Sequence, residues 1–564
     1  MVTGAPSDQA GLQLSTSAIN FGDVATNTTE TRQVLVSNPG TGALSFTAAP
    51  AVNGDAVFAA GLTTCGATLA AGADCLTDAT FSPTTMGTYS GILRFTSAQA
   101  SSPHEVTLVG TAFNPVSLAS TTLPRGMLGK SYSYDFKQLL NVSNEVNPDK
   151  SQATWSSSGT LPTGLSFNTG TGVLAGTPTA KSSDASYTVT ATYKGNQGQN
   201  VFTLKVVDAI LEAVQISGGA SHTCAVTVAH GVKCWGRNAV GQLGDGTKVD
   251  RYTPVDVVGL PAGVVSVSAG GAHTCAVTAT GGVKCWGQNE AGQLGDGTTT
   301  PALTPVVVAN LSSVAAISAG ANHTCALTNS GAALCWGAGQ GGVLGDGGWV
   351  NKAYPVNVVG LATDVTSLSA GNGHTCAVTS SGGAKCWGYN AQGQLGDGTK
   401  TGRFVPVNVT GLTAGVTSIA TGENFTCATT TNGGAKCWGQ NNYYQLGDGT
   451  MLERSVPVDV QGLAATAVSV DVGAVHGCVL TDTGGVKCWG INSLAETGDG
   501  TQSARPTPVS VTGLTSGVTS IGAGSRHNCA VLSTGGVKCW GGGGSGVLGT
   551  GTGSLALTPA DVKP

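Results

Sequence analysis

"HTCAVTATGGVKCWGQNEAGQLGDGT" spans His273 to Thr298, and its reading decides the fold. Cys275 and Cys285 stand ten positions apart, with Trp286 directly after the second. Aligned on itself, the chain repeats this pattern seven times, with cysteines at 224/234, 275/285, 325/335, 376/386, 427/437, 478/488 and 529/539. The period is 50 or 51 residues, and a tryptophan follows each second cysteine (235, 286, 336, 387, 438, 489 and 540). Downstream comes a Gly-rich stretch ending in versions of "LGDGT", then a variable loop, then Pro-Val-x-Val. Such a period marks a modular array in which each unit buries a face on its neighbours. "VVSVSAG" (264–270), "HTCAVT" (273–278), "GVKCWGQ" (282–288) and "TPVVV" (304–308) read as four short strands separated by Gly-rich turns.

Composition agrees. Charged residues make up 10% and aromatics 5%, while 87 glycines accompany abundant Ser, Thr and Val, a balance that favours strands and tight turns over helices. No amphipathic helical stripe extends beyond two turns. The fold class expected is all-β: two immunoglobulin-like β-sandwiches followed by a seven-bladed β-propeller. A linear solenoid is the alternative, but its end repeats would need polar caps, and the first and last repeats here look like the middle ones. The net charge is −5 and the 25 basic residues are scattered, so no cationic face for nucleic acid is visible. No apolar run reaches roughly 18 residues, so no membrane insertion is expected. Met1 to Gly11 lacks a basic start and an apolar core, so no secretion signal is read there.

The paired cysteines read as disulfides. In "CAVTATGGVKC" a loop of Ala279, Thr280 and Gly281 sets Cys275 opposite Cys285, and Gly281 and Gly331 suit the left-handed third position. Directly opposed residues of a non-hydrogen-bonded pair have Cα atoms ~4.5 Å apart, within bridging reach. The expected bridges are Cys65–Cys75, Cys224–Cys234, Cys275–Cys285, Cys325–Cys335, Cys376–Cys386, Cys427–Cys437, Cys478–Cys488 and Cys529–Cys539, which imply an oxidising environment. Strand alternation turns Trp286 away from Cys285, so indole and disulfide should meet across each blade interface. Zinc on His273, Cys275 and Cys285 fits less well: repeat five has Phe425 in place of the histidine yet keeps its cysteines, and the spacing has no CxxC knuckle. No metal or cofactor is expected.

"AGGAHTCAVTATGGVKCWGQNEAGQLGDGT", with its six companions, resembles the repeat of the regulator of chromosome condensation family over about residues 212–564. The resemblance implies a seven-bladed propeller closed by a strand from one terminus, here "TPADV" (558–562) beside "AVQIS" (213–217). It also implies a propeller face that holds a partner. The paired cysteines depart from the eukaryotic pattern and resemble an exported bacterial or viral version.

Ahead of the repeats, residues 1–10 read as a tail. Residues 11–113 resemble hydin-type or choice-of-anchor immunoglobulin-like domains, through "STSAINFGDV", "ETRQVLVSN", "TYSGILRFTS" and "HEVTLVGTA". "NPVS" (114–117) is a boundary. Residues 118–208 resemble putative-Ig, cadherin-like modules through "LPTGLSFNTGTGVLAGTPT" (161–179). Asp184 and Asp208 are too isolated to form a calcium cage.

Chemistry-bearing residues mostly follow the repeat. Histidines 222, 273, 323, 374, 476 and 527 share one phase, and aspartates 245, 296, 346, 397, 448 and 499 another, with Thr550 in repeat seven. Groups recurring in phase point to interblade hydrogen bonds and turn capping, and no GxSxG, phosphate loop or HExxH is present, so no enzyme is expected. What escapes the repeat lies in loops: "TKVDRYT", "GWVNKAY", "TKTGRFV" and "TMLERSV" after "LGDG", and "YNAQG" and "QNNYYQ" after "CWG". Arg251, Tyr252, Trp349, Lys352, Tyr354, Tyr389, Arg403, Phe404, Tyr443 and Tyr444 are the candidate binding residues, since aromatic and Arg side chains anchor recognition surfaces. Whether the two loop sets share a face stays open. The expected function is binding or adhesion outside the cell, on a cell surface or in a virion. The partner is a protein or glycan, or copies of the chain itself in a structural appendage; a polysaccharide-acting enzyme ranks third.

Overall fold

In a computed structural model, residues 10–99, 101–143, 147–463 and 467–564 are described, and the chain divides into two compact units, one ending at Ala209 and the other Ile210–Pro564. The tail expected at 1–10 lies, but for Ala10, outside these residues. Among them no helix is long and apolar enough to cross a membrane.

The first unit holds two β-sandwiches. One packs the sheet of Gln13–Leu14, Glu30–Ser37, Asp74–Phe81 and Phe58–Thr63 against the sheet of Ala18–Ala25, His104–Phe113, Gly87–Phe95 and Ala51–Gly54. Its strands alternate inward and outward, so Val34, Val36, Phe81, Leu93, Phe95, Val106 and Leu108 form one buried core. Cys65 and Cys75 are bridged. The other sandwich is built mainly on the long hairpin Ser182–Tyr193 and Asn196–Val207, with Phe136, Trp155, Leu174, Tyr187 and Phe202 in its core. Asp208 pairs with Lys181 at 3.0 Å rather than with other carboxylates.

The second unit is a ring of seven four-stranded antiparallel sheets. Blade two shows the pattern: Val264–Ala269, His273–Thr278, Val283–Gly287 and Ala302–Val307, from the axis outward. Cys275 sits opposite Cys285 with Cα atoms 4.0 Å apart, and every blade carries the same bridge. The turn holds Gly281 at φ +77° and Gly331 at φ +80°, the left-handed conformation the three-residue loop requires. Among the described residues no cysteine is free.

Between blades, indole meets disulfide as the alternation of side chains demands. Trp286 of blade two packs in one buried cluster with Cys224 and Cys234 of blade one, and its Nε1 donates to Gln242 O at 2.9 Å. The phased histidines are interblade links. His222 Nε2 lies 2.8 Å from Thr274 Oγ1 of the next blade; four of the other five meet a threonine hydroxyl in the same way, and His476 meets Asn528 Oδ1.

Closure differs from the expectation. Residues 558–562 do not pair beside 213–217: Ala556–Asp561 is the outer strand of blade seven, paired with Val537–Gly541, while Ala213–Gly218 pairs with His222–Thr227 of its own blade. The physical reason is phase, because each repeat supplies one whole blade and no strand has to be borrowed. The ring closes as its other seams do. Leu211, in the position of Leu260, accepts from Val537 N–H as Leu260 accepts from Val232 N–H, and Thr223 receives His527. A closed ring also removes the solenoid alternative.

Candidate binding face

The connection between third and fourth strands sets this face. In blade one it covers residues 237–250, since Gly236 ends one strand and pairs with Arg251 at the start of the next. Both candidate loop sets therefore belong to one connection and lie at the same end of the propeller. The other end carries the hairpins 228–231, 279–282, 329–332, 380–383, 431–434, 482–485 and 533–536, which contain one carboxylate, Asp482, one imidazole, His230, and no Tyr, Trp or Phe.

Local chemistry shapes each connection. Asn238 Oδ1 accepts Leu243 N–H, while its Nδ2 donates to Asp245 Oδ1 and Thr247 O. Asp245 also accepts from Thr247 N–H and Oγ1 and from Arg251. Burial works to raise the Asp245 carboxyl, and these hydrogen bonds outweigh it, leaving the group below the usual carboxylate range. The same unit recurs with Arg403–Asp397, Arg454–Asp448, Arg505–Asp499 and, more loosely, Lys352–Asp346 at 3.7 Å.

Three of the ten candidates, Arg251, Lys352 and Arg403, thus brace their own loops. Asp397→Ala strands Asn390, Thr399 and Arg403 together, and should lower stability by about 1–3 kcal/mol. Arg403→Ala removes one half-exposed partner and should cost about 1 kcal/mol or less. Denaturant midpoints of the two variants check that order.

The aromatic candidates stand out from the scaffold. Tyr252, Trp349, Tyr354, Tyr389, Phe404 and Tyr443 are the exposed aromatic residues of the propeller among those described, and all six lie on this connection or the strand after it. Trp349 is 70% exposed. Two of them meet at the loop 339–342 of blade three, with Trp349 one residue before Val350: a Cβ on Gly339 would meet Val350 O at 2.2 Å, one on Gly341 the Tyr389 ring at 2.4 Å, and one on Gly342 the Phe404 Cα at 2.7 Å. Only glycine lets the blade-four residues approach so closely. Blade five continues the sector. Lys400 pairs with Glu453, and Tyr443 stands exposed on the connection that also carries exposed Met451 and Leu452. Tyr444 is half-buried, held at φ +63°. Tyr252 lies elsewhere, against blade seven beside Gly546, and Tyr354 sits over Gly297 of blade two.

Sequence reasoning missed Val350, Val405, Met451 and Leu452, which are exposed beside the aromatics. Their presence in the same variable loops was the available signal. It also missed the axial channel of about 370 Å³, whose lining includes Ser217, Ser268, Ser318, Ser369, Glu423 and Asp471. The serines recur in phase and each accepts an amide N–H of the next blade, as Ser217 does from Ala269.

The closed ring of whole-repeat blades, with one elaborated loop end, matches the description "RCC1-like domain" over residues 191–527. The chain belongs to the RCC1-like domain family. A single RCC1 repeat is matched again at 518–547, a "Putative Ig domain" at 114–207, and "ASPM-SPD-2-Hydin" at 12–104. Among relatives, the ultraviolet-B receptor UVR8 of Arabidopsis thaliana is 33% identical over 345 residues, covering 60% of this chain and 78% of UVR8. The human E3 ubiquitin-protein ligase HERC2 is 34% identical over 327 residues, 57% of this chain and 6% of that protein. Prp20p of Saccharomyces cerevisiae shares the fold with a TM-score of 0.54 at 24% identity, over 63% of this chain and 88% of that one.

Proposed function

We propose that this RCC1-like chain is a binding protein that works in an oxidising, extracellular setting and grips a protein partner with the aromatic sector of blades three to five. The observation that carries the reading is the confinement of every exposed Tyr, Trp and Phe among the described propeller residues to one end, with Tyr389 and Phe404 against the loop 339–342 and Trp349 on the same connection. Large, rigid side chains on glycine-rich, braced loops are the usual anchors of an interface. Prp20p, studied for its binding to Gsp1p and histones, supports a protein as the partner class. The chemistry-bearing groups support binding over catalysis, because the phased imidazoles link blades, the cysteines are bridged and the phased carboxylates brace loops. The eight disulfides support the setting. The two immunoglobulin-like domains then act as spacers.

The test compares the intact chain with Trp349→Ala/Tyr389→Ala/Phe404→Ala and with Val228→Ala/Asp482→Ala at the opposite end, each immobilised and offered surface extracts under non-reducing conditions. A partner retained by the chain and the opposite-end variant but lost tenfold or more by the triple variant supports the reading. Equal retention by all three removes it.

A further inference from the structure

Seven seams join the blades, and six of them are bridged by a buried imidazole. In five, Nε2 of His222, His273, His323, His374 or His527 lies 2.8–2.9 Å from a threonine Oγ1 of the next blade. Each of those hydroxyls donates to a carbonyl: Thr274 to Gln242 O, Thr324 to Gln293 O, Thr375 to Val343 O, Thr426 to Gln394 O and Thr223 to Val547 O. A hydroxyl has one proton, so it must accept from the imidazole, which places the ring proton on Nε2. His476 follows the same logic through Asn528, whose Nδ2 donates to Glu496 O and whose Oδ1 faces His476 Nε2 at 3.0 Å. The other ring nitrogen is then bare. Nδ1 of His222, His273, His374 and His476 is buried with no partner, pressed close to glycines such as Gly219.

The seventh seam is different. Blade five has Phe425 at the histidine position, and blade six has Gly477 where the others carry threonine or asparagine. Ala420 replaces the channel serine there, and Val472 N–H turns to Asp471 of its own blade. Phe425, Ala420, Val470, Val472 and Trp489 fill that seam as one apolar cluster. None of the seven propeller disulfides crosses any seam.

We infer that the propeller is a ring that acid unlatches: protonating the seam imidazoles parts blade from blade while each blade stays stapled, and the Phe425–Gly477 seam holds. At His222, His273, His374 and His476 an added proton on Nδ1 creates a donor with no acceptor, and at all six it creates a buried charge. Burial, reinforced by neighbouring imidazoles at His273, His374 and His527, accordingly lowers these groups, to about 4 at His222 and His323 and about 3 at His273, His374 and His527. His476 is lowered as well, by burial first; it also faces Glu496, which opposes the shift, and Arg526, which adds to it. A histidine freed into water titrates near ~6.5. The closed ring is therefore fully favoured above that pH and loses ground as the pH falls towards 4. Asp471, raised to about 6 by burial, opposes this by holding one proton in the closed state. With roughly five protons net, one pH unit shifts the closed-to-open ratio by up to about 10⁵.

Hydrogen exchange on the unreduced full chain between pH 7.5 and 4.5, corrected for the intrinsic rate at each pH, reads this directly. The N–H groups of Ala220, Gly271, Ala321 and Asn372 donate to carbonyls of the next blade and report the seams. They should lose at least 100-fold of their protection by pH 5 while the in-blade ladder of Cys275 and Cys285 keeps its own, and regain it on return to pH 7.5. His273→Phe/Thr324→Gly copies the apolar seam and should keep Gly271 protected at pH 5. Seam amides that stay protected to pH 4.5, or that are lost together with the in-blade ladder, overturn the inference on the wild-type chain alone. A folded double variant that loses Gly271 protection as wild type does overturns it too.

Discussion

Trp286→Ala should lower the stability of the propeller by about 3–5 kcal/mol, the range for removing a large buried aromatic side chain. Trp286 is fully buried, in one cluster with both cysteines of the blade before it. Its loss opens a cavity that the seam cannot close, because the flanking strands are held in register by their disulfides. Gln242 O keeps the hydroxyl of Thr274, so the lost hydrogen bond is the smaller part of the effect. Trp286→Phe should accordingly cost clearly less than the alanine variant. Thermal and denaturant unfolding of both variants, under non-reducing conditions, measures the difference. Alanine and phenylalanine variants within about 1 kcal/mol of wild type would mean that the indoles do not hold the seams.

Reduction should act in two stages. Cys65 of the first sandwich is half-buried, so its bridge to Cys75 should open in the folded protein. The propeller cysteines are at most 2% exposed and should resist thiol reagents until the blades open. Once opened and reduced, the propeller should fail to regain its fold. Each bridge closes a sequence separation of ten residues and contributes about 2–3 kcal/mol in the chain-entropy model. Seven such terms do not add simply, yet a fraction of their sum rivals the ~5–15 kcal/mol by which domains are stable. Graded reductant with mass analysis should show one bridge lost before any change in near-ultraviolet circular dichroism, then seven lost with it.

Much of this was legible in the sequence because the repeat fixes both spacing and phase. A ten-position separation of the cysteines around a Gly-bearing turn determines the hairpin register, and with it the bridge and the turn of Trp286 to the opposite blade face. The closing strand was misplaced because that expectation came from family resemblance, whereas Leu211 in the phase of Leu260 already marked a complete first blade. Arg251, Arg403, Arg454 and Arg505 each follow their aspartate by six positions, so their bracing role was readable from phase. Phe425 and Gly477 are likewise paired departures, and only the ring reveals that they stand on the two sides of one seam. The aromatic sector was not legible as a unit. Trp349, Tyr389 and Phe404 come from two repeats, and bare glycines at 341 and 342 let Tyr389 and Phe404 close on the blade-three connection that carries Trp349.

Non-reducing digestion after alkylation, with mass mapping of the linked peptides, tests the stapled ring most directly. The expected result is eight links, each joining cysteines ten positions apart, Cys275 to Cys285 and its counterparts, with no alkylated thiol. Links that cross from one repeat to the next, or cysteines alkylated before reduction, would contradict it. The oxidising setting and the non-covalent seams would then both lose their basis.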